Sequence, residues 1–143
     1  MIIEEQLRQI LEDGGFLGTF TDYFGNSQPA PKVQIISANQ TLMSNNPSSR
    51  YIAIIVEGDA VTAMYAERQM IGVHLFGLPD ISDQAIVKHR ADQMLEHFLQ
   101  VRKKDNIIDC IPQGFSIPPM FTETGRPVCS ISLIVPIDRG IIY

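Results

Sequence analysis

The run Arg50–Asp59, RYIAIIVEGD, restricts the fold more than any other stretch of the chain. It is nearly continuous in apolar residues, the pattern of a central strand buried on both faces. Its match is AERQMIGVHLFG, Ala66–Gly77, where Ile71, Val73 and Leu75 alternate with Met70, Gly72, His74 and Phe76. Period-two alternation of this kind marks a strand with one face toward a core. Gly58-Asp59 stands between the two runs, with Ala60–Tyr65 as an irregular link or the start of the second strand. An antiparallel pair is the simple reading.

Helical spacing brackets this pair. Ile3, Leu7, Ile10 and Leu11 fall on one helical face, Glu4 and Glu5 sit in the first turn where the helix dipole favours anions, and Gly14-Gly15 supplies a stop. The second helix lies in LPDISDQAIVKHRADQMLEHFLQVRKKD. Asp80 or Ser82 is the expected cap, Ile86, Met94, Phe98 and Val101 with Leu95 and Leu99 the expected stripe, and Arg102, Lys103 and Lys104 close the last turn. Two more strands follow, roughly Ile107–Ile117 and Pro127–Ile137, with the turn Glu123-Thr124-Gly125-Arg126 between them. Pro112, Pro118 and Pro119 confine the first to an edge or a bulged path.

The predicted order is helix, strand, strand, helix, strand, strand: an α+β sandwich of two layers, with the helices on one face of a mainly antiparallel sheet. One domain over 1–143 accommodates all of it. Phe16–Phe24 reads as a short extended piece. Val33, Ile35 and Ile36 can begin a further strand or a loop. Residues 37–50, SANQTLMSNNPSSR, are polar and without a period, and read as a flexible loop.

Composition narrows the function. Hydrophobic residues make up 45% of the chain, enough for a core. The formal charge of −5 argues against a broad nucleic-acid-binding face, and aromatics do not interleave with cations along the sequence. The opening MIIEEQLRQILEDGG lacks the basic and apolar segments of a secretory signal, and no apolar window is long enough for a membrane span, so a cytoplasmic origin is expected. Cys110 and Cys129 read as small buried hydrophobes rather than a disulfide framework.

Catalytic and metal motifs are missing. His89 and His97 are two turns apart on the second helix, roughly 12 Å along its axis, too far to share an ion. No GxSxG, Walker or GxGxxG pattern occurs. An enzyme would have to use Glu57, Asp59 and His74 at a strand end, where a solvated turn is the favoured reading. No metal or cofactor is expected. The apolar, proline-bearing connector FSIPPMF offers Phe115, Ile117, Met120 and Phe121 either to the core or to a docking partner.

The last third resembles a known pattern. DNIIDCIPQGFSIPPMFTETGRPVCSISLIV, Asp105–Val135, is similar to the tail terminator (tail completion) proteins of long-tailed bacteriophages and prophages through Asp109, Cys110, Gly114, Ile117, Pro118, Thr122, Glu123, Gly125 and Arg126. The strand ERQMIGVHLFG, Glu67–Gly77, is a second match, while Ser37–Arg50 and the step Arg126-Pro127 depart from the pattern. The resemblance implies a virion protein, not an enzyme, that assembles in the bacterial host cytoplasm. It would form a ring, usually a hexamer in that family, on the head-proximal end of the tail tube. There it would stop tube polymerisation and present the surface that the head connector joins. Its partners would be itself, the tail tube protein and the head connector protein, with no specific nucleic acid and no membrane. The subunit or tail interface would involve Phe115, Ile117, Pro118, Met120, Phe121, Glu67, Arg68 and Arg126, with the edge of the Glu67–Gly77 strand as the contact in place of the loop should the loop not dock. A different head–tail connector component is the nearest alternative. A small enzyme, or an adaptor that adds a peptide strand to a sheet edge, is the alternative from another class.

Overall fold

The computed structural model describes residues 3–36, 47–62, 67–104, 111–112, 120–122 and 124–137. The fold is α+β. Its elements are α1 (Ile3–Asp13), β1 (Phe20–Thr21), β2 (Ser27–Gln28), β3 (Lys32–Ile36), β4 (Tyr51–Thr62), β5 (Glu67–Phe76), a 3-10 turn (Ile81–Asp83), α2 (Gln84–Lys104), β6 (Ile111–Pro112), β7 (Met120–Phe121) and β8 (Pro127–Ile137).

β4 and β5 pair antiparallel, and β5 continues antiparallel onto β8, so β5 is the central strand. It therefore has no free edge, contrary to the expectation of a contact there. Register explains the core. Ile52, Leu75 and Cys129 lie in one row across the sheet, Ile54, Val73 and Ile131 in the next, and Ile71 faces Leu133 in a third. All eight are buried, and all lie on the face covered by Leu7 and Leu11 of α1 and Val87, Ala91, Met94 and Phe98 of α2. Both helices thus pack on one side, as a two-layer sandwich requires.

Several expectations change in detail. The α2 stripe centres on Val87, Ala91, Met94 and Phe98, while Leu99 is 43% exposed. Gly58 and Asp59 are not a turn. They pair with Met70 and Gln69 inside the ladder, next to two register shifts that let β4 run on to Thr62. Val33–Ile36 belong to β3, which pairs with β4 in parallel. A parallel pair needs a crossover of about a dozen residues or more, and residues 37–50 have that length. Of the loop expected there, 37–46 lie outside the described residues.

The expected Ile107–Ile117 strand is represented by β6 alone, which pairs with Leu133 and Ile134. β7, placed in the connector by sequence, pairs with Pro127 and Val128 at the start of β8. Seven residues separate Pro112 from Met120, but only four separate their partners Leu133 and Val128, so the two segments keep different registers. The edge position foreseen for Pro112 is observed, since β6 is terminal in the sheet.

The end of α1 follows its sequence. Phe16 N–H donates to Leu11 O at 3.0 Å and Gly15 N–H to Glu12 O at 3.0 Å, with Gly15 at φ 78°. This is the Schellman arrangement, whose left-handed residue favours glycine. Side chains of α2 engage the same end: His97 Nε2 lies 2.9 Å from Ile10 O, and Arg90 donates to Gly15 O at 3.0 Å. Asp80 accepts from Ser82 N–H at 3.0 Å and caps the 3-10 turn that leads into α2.

Candidate functional site

The residues expected at an interface fall into three groups. Phe115, Ile117 and Pro118 lie outside the described residues. Met120 and Phe121 form β7, where Phe121 is 47% exposed. Glu67 and Arg68 begin β5 and pair with Ile137 and Pro136, whereas Phe121 pairs with Pro127. Ten residues of β8 separate Pro127 from Ile137, roughly 33 Å at the strand rise. The structure therefore does not bring Glu67 and Arg68 to the Phe121 end.

Arg126 corrects the expectation most directly, because its side chain is inside the chain. It is 1% exposed, donates from one terminal nitrogen to Ser49 O at 2.8 Å and Gly77 O at 2.9 Å, and stacks 5.2 Å over the Tyr51 ring. A guanidinium held by backbone carbonyls and an aromatic face positions elements. Here it ties the start of β8 to the ends flanking β4 and β5. The preceding turn is set locally: Thr122 N–H donates to Arg126 O at 2.9 Å, Gly125 N–H to Thr122 O at 2.9 Å, and Gly125 takes φ 83°. The turn read from sequence is thus present, with its arginine pointing inward and Phe121 partly open.

Two other arginines are also used internally. Arg50 meets Asp83 through two contacts, 3.0 Å from Nε and 2.6 Å from a terminal nitrogen, with both side chains buried. Asp83 also accepts from Leu78 N–H at 2.8 Å, and Arg50 donates to Gln28 Oε1 at 2.9 Å. Gln28 donates to Asp22 at 2.8 Å, so the network runs from the β1–β2 hairpin to the start of α2. Arg90 lies between two rings, 4.6 Å from Phe16 and 4.5 Å from Phe20. Burial pushes its pKa below the ordinary arginine value. Cations and aromatics that do not alternate along the sequence therefore do stack in space, as internal clamps.

The crevice beside Arg90, lined also by Phe16, Phe20 and Tyr51, has a volume of about 20 Å³. That is room for one water and far below the size of an organic ligand site. Among the described residues every buried side-chain nitrogen or oxygen has a hydrogen-bond partner, and no group of three His, Cys, Asp or Glu is placed to hold a metal ion. No helix among the described residues is long and apolar enough to cross a membrane.

The ladder places the backbone of Glu57 and Asp59 well away from that of His74. His74 is opposite Ala53 on β4, and Glu57 and Asp59 lie four and six residues farther along, roughly 13–20 Å away at the strand rise. His74 Nδ1 is instead 2.6 Å from Ser130 Oγ. That is a nucleophile–base distance. The two residues, however, are directly opposed in the β5–β8 ladder, so they form a cross-strand polar pair on the face away from the helices.

Sequence reasoning missed Tyr23 and Phe24, which are 70% and 63% exposed at the β1–β2 turn. The signal was present in Asp22-Tyr23-Phe24-Gly25-Asn26, turn chemistry enclosing adjacent aromatics. No family model matches the chain, and no curated protein matches it.

Proposed function

We propose that the protein is a structural virion component that forms a ring, six-membered in the family it resembles, on the head-proximal end of a phage tail tube. It ends tube polymerisation there and offers the surface to which the head connector joins. Its partners are further copies of itself, the tail tube protein and the connector, and it acts in the host cytoplasm and then in the virion. The observation carrying this reading is the resemblance across Asp105–Val135. Two structural features support a scaffold over a catalyst. Among the described residues the sheet has two unlike edges, β3 and β6/β7. Arg50, Arg90 and Arg126 are committed to contacts within the chain. Unlike edges suit the heterologous contacts by which a ring closes.

Electron microscopy of particles made without the protein tests the reading. Overlong tubes and tailless heads are expected, and tails of normal length would overturn it. A defect in head joining with normal tube length would assign the protein instead to a different connector component. One observation favours a second reading, a peptide-binding adaptor. β3 is terminal in the sheet and pairs only with β4 among the described residues, which suits strand addition. A chain that stays out of rings and binds extended peptides would select that reading.

A further inference from the structure

We propose that the strip running from Phe24 and Tyr23 over His89 and Ala85 to Ile81 is a self-association surface on which a second copy of this chain docks about a two-fold axis. One end of the strip is a rigid protrusion. Tyr23 and Phe24 are 70% and 63% exposed, yet the turn that carries them is locked. Asp22 Oδ1 accepts from Phe24 N–H and Asn26 N–H, both at 2.9 Å, and Gly25 N–H donates to Asp22 O at 3.1 Å. Tyr23 meets Phe24 edge-on at 5.6 Å and His89 of α2 at 5.3 Å between ring centroids. Aromatics ordered in the free chain lose little freedom on binding, which is the property of an anchor.

The other end of the strip is a hollow. Ala85 and His89 are spaced by four on one side of α2, and Ile81 stands just before them in the 3-10 turn. Ile81 is 73% exposed, and it lines an open hollow of about 390 Å³ with Ser82, Gln84, Ala85 and Lys88. Lys88 is already paired with Asp92 at 2.7 Å, so its charge is offset within each copy. Protrusion and hollow are therefore neighbours on one surface. A two-fold axis near His89 sets the protrusion of each copy into the hollow of the other, an isologous contact that makes the same fit twice.

The area decides the strength. An aromatic residue buries about 150–250 Å², so the exposed parts of Tyr23 and Phe24 supply roughly 200–330 Å² per copy. With equal area from each hollow, two reciprocal contacts bury roughly 800–1,300 Å² in total, the low end for a specific interface. The association is thus weak, concentration-dependent and complete at two copies. It does not rest on the ring reading, since a dimer and a ring differ in sedimenting mass.

Sedimentation equilibrium of the full chain from micromolar to millimolar concentration tests the proposal. A reversible dimer is expected, weakened about tenfold or more by Tyr23→Ser with Phe24→Ser. Ile81→Arg, outside the hairpin, should weaken it comparably, with circular dichroism unchanged. In a Cys110→Ser background, oxidising Phe24→Cys chains mixed with Ala85→Cys chains should give a disulfide-linked mixed dimer. A monomer throughout the concentration range would overturn the proposal. So would a dimer indifferent to both sets of substitutions.

Discussion

Arg50 and Asp83, 33 residues apart, form a two-point ion pair that joins the end of the β3–β4 crossover to the turn before α2. Both side chains are buried, so their desolvation offsets much of their attraction. The pair is therefore better understood as a device for fixing geometry than as a large net source of stability. Removing one partner is a different matter, because it leaves a charge buried alone.

Asp83→Ala is expected to destabilise the fold by about 3–5 kcal/mol, since it strands the Arg50 guanidinium and the Leu78 N–H. Replacing both residues, Arg50→Met with Asp83→Leu, should recover a substantial part of that loss. Urea denaturation of the single and double variants measures the coupling. Equal loss in both would show that the charge of Arg50 is not the issue.

Gly77 sits where three elements converge. A Cβ there would meet Asp83 Oδ2 and Val87 Cγ2 at 2.6 Å and Pro127 Cγ at 2.8 Å. Two of those atoms are on packed, short side chains, and the third holds Arg50. Gly77→Ala should therefore cost about 1–3 kcal/mol by overpacking, seen as a lowered melting temperature. Its effect should be smaller in the Asp83→Ala background, because one of the clashing atoms is gone.

Cys129 is fully buried, and its pKa is pushed up from 9.0 to about 11, chiefly because burial disfavours the thiolate. Above pH 9 the unfolded chain releases the thiol proton while the folded chain keeps it, so folding stability falls with rising pH. This contribution is constant below pH 9 and is lost between about pH 9 and 11. Cys129→Ala should remove that alkaline component, as judged by denaturation curves of both proteins across the window. In the native protein at neutral pH, Cys129 should resist a thiol reagent that modifies it after unfolding.

The hairpin gives the opposite sign. Asp22 has its pKa held below 3.8, first by the hydrogen bond from Asn26 N–H, against the opposing effect of burial, and then by those from Gln28 and Phe24. A depressed carboxyl pKa contributes stability that is present above 3.8 and lost as pH falls through the lower folded value. Hydrogen exchange at Phe24 and Asn26 should therefore accelerate in acid relative to neighbouring strand amides, after correction for intrinsic rates. Asp22→Ala should remove the difference and leave the β4–β5–β8 ladder protected.

The parts of the fold legible in sequence are those set by short-range periodicity. Alternation at Ile71, Val73 and Leu75 put the right face of β5 in the core, and Gly14-Gly15 ended α1 through a local motif. The α2 stripe was less well centred, because an alanine, Ala91, occupies the middle of the buried face and larger residues such as Leu99 outweigh it in a hydrophobicity pattern. β3 was ambiguous because a five-residue strand paired in parallel depends on a distant partner for its definition. The candidate site was harder still. Arg126 carries the same charge at a surface or in a core. Only the arrival of Ser49 O and the Tyr51 ring from one distant part of the chain, and of Gly77 O from another, makes it internal.

Phe121 and Arg126 should now separate fold from assembly. Arg126→Ala would leave the buried Gly77 carbonyl without this donor, at a cost of about 1–3 kcal/mol, would release the half-buried Ser49 carbonyl, and would open space beside Tyr51. It should lower stability by about 2–4 kcal/mol and impair assembly only in proportion to unfolding. Phe121 is 47% exposed and held by backbone pairing to Pro127, so Phe121→Ser should change stability by less than about 1 kcal/mol. If the β7 edge is the ring contact, Phe121→Ser, alone or with Phe115→Ser, leaves a folded subunit that fails to form rings or cap tails. Native circular dichroism together with a shift to smaller species in sedimentation is the expected result. A folded variant that still assembles would move the ring contact away from β7, to the unlike edge at β3.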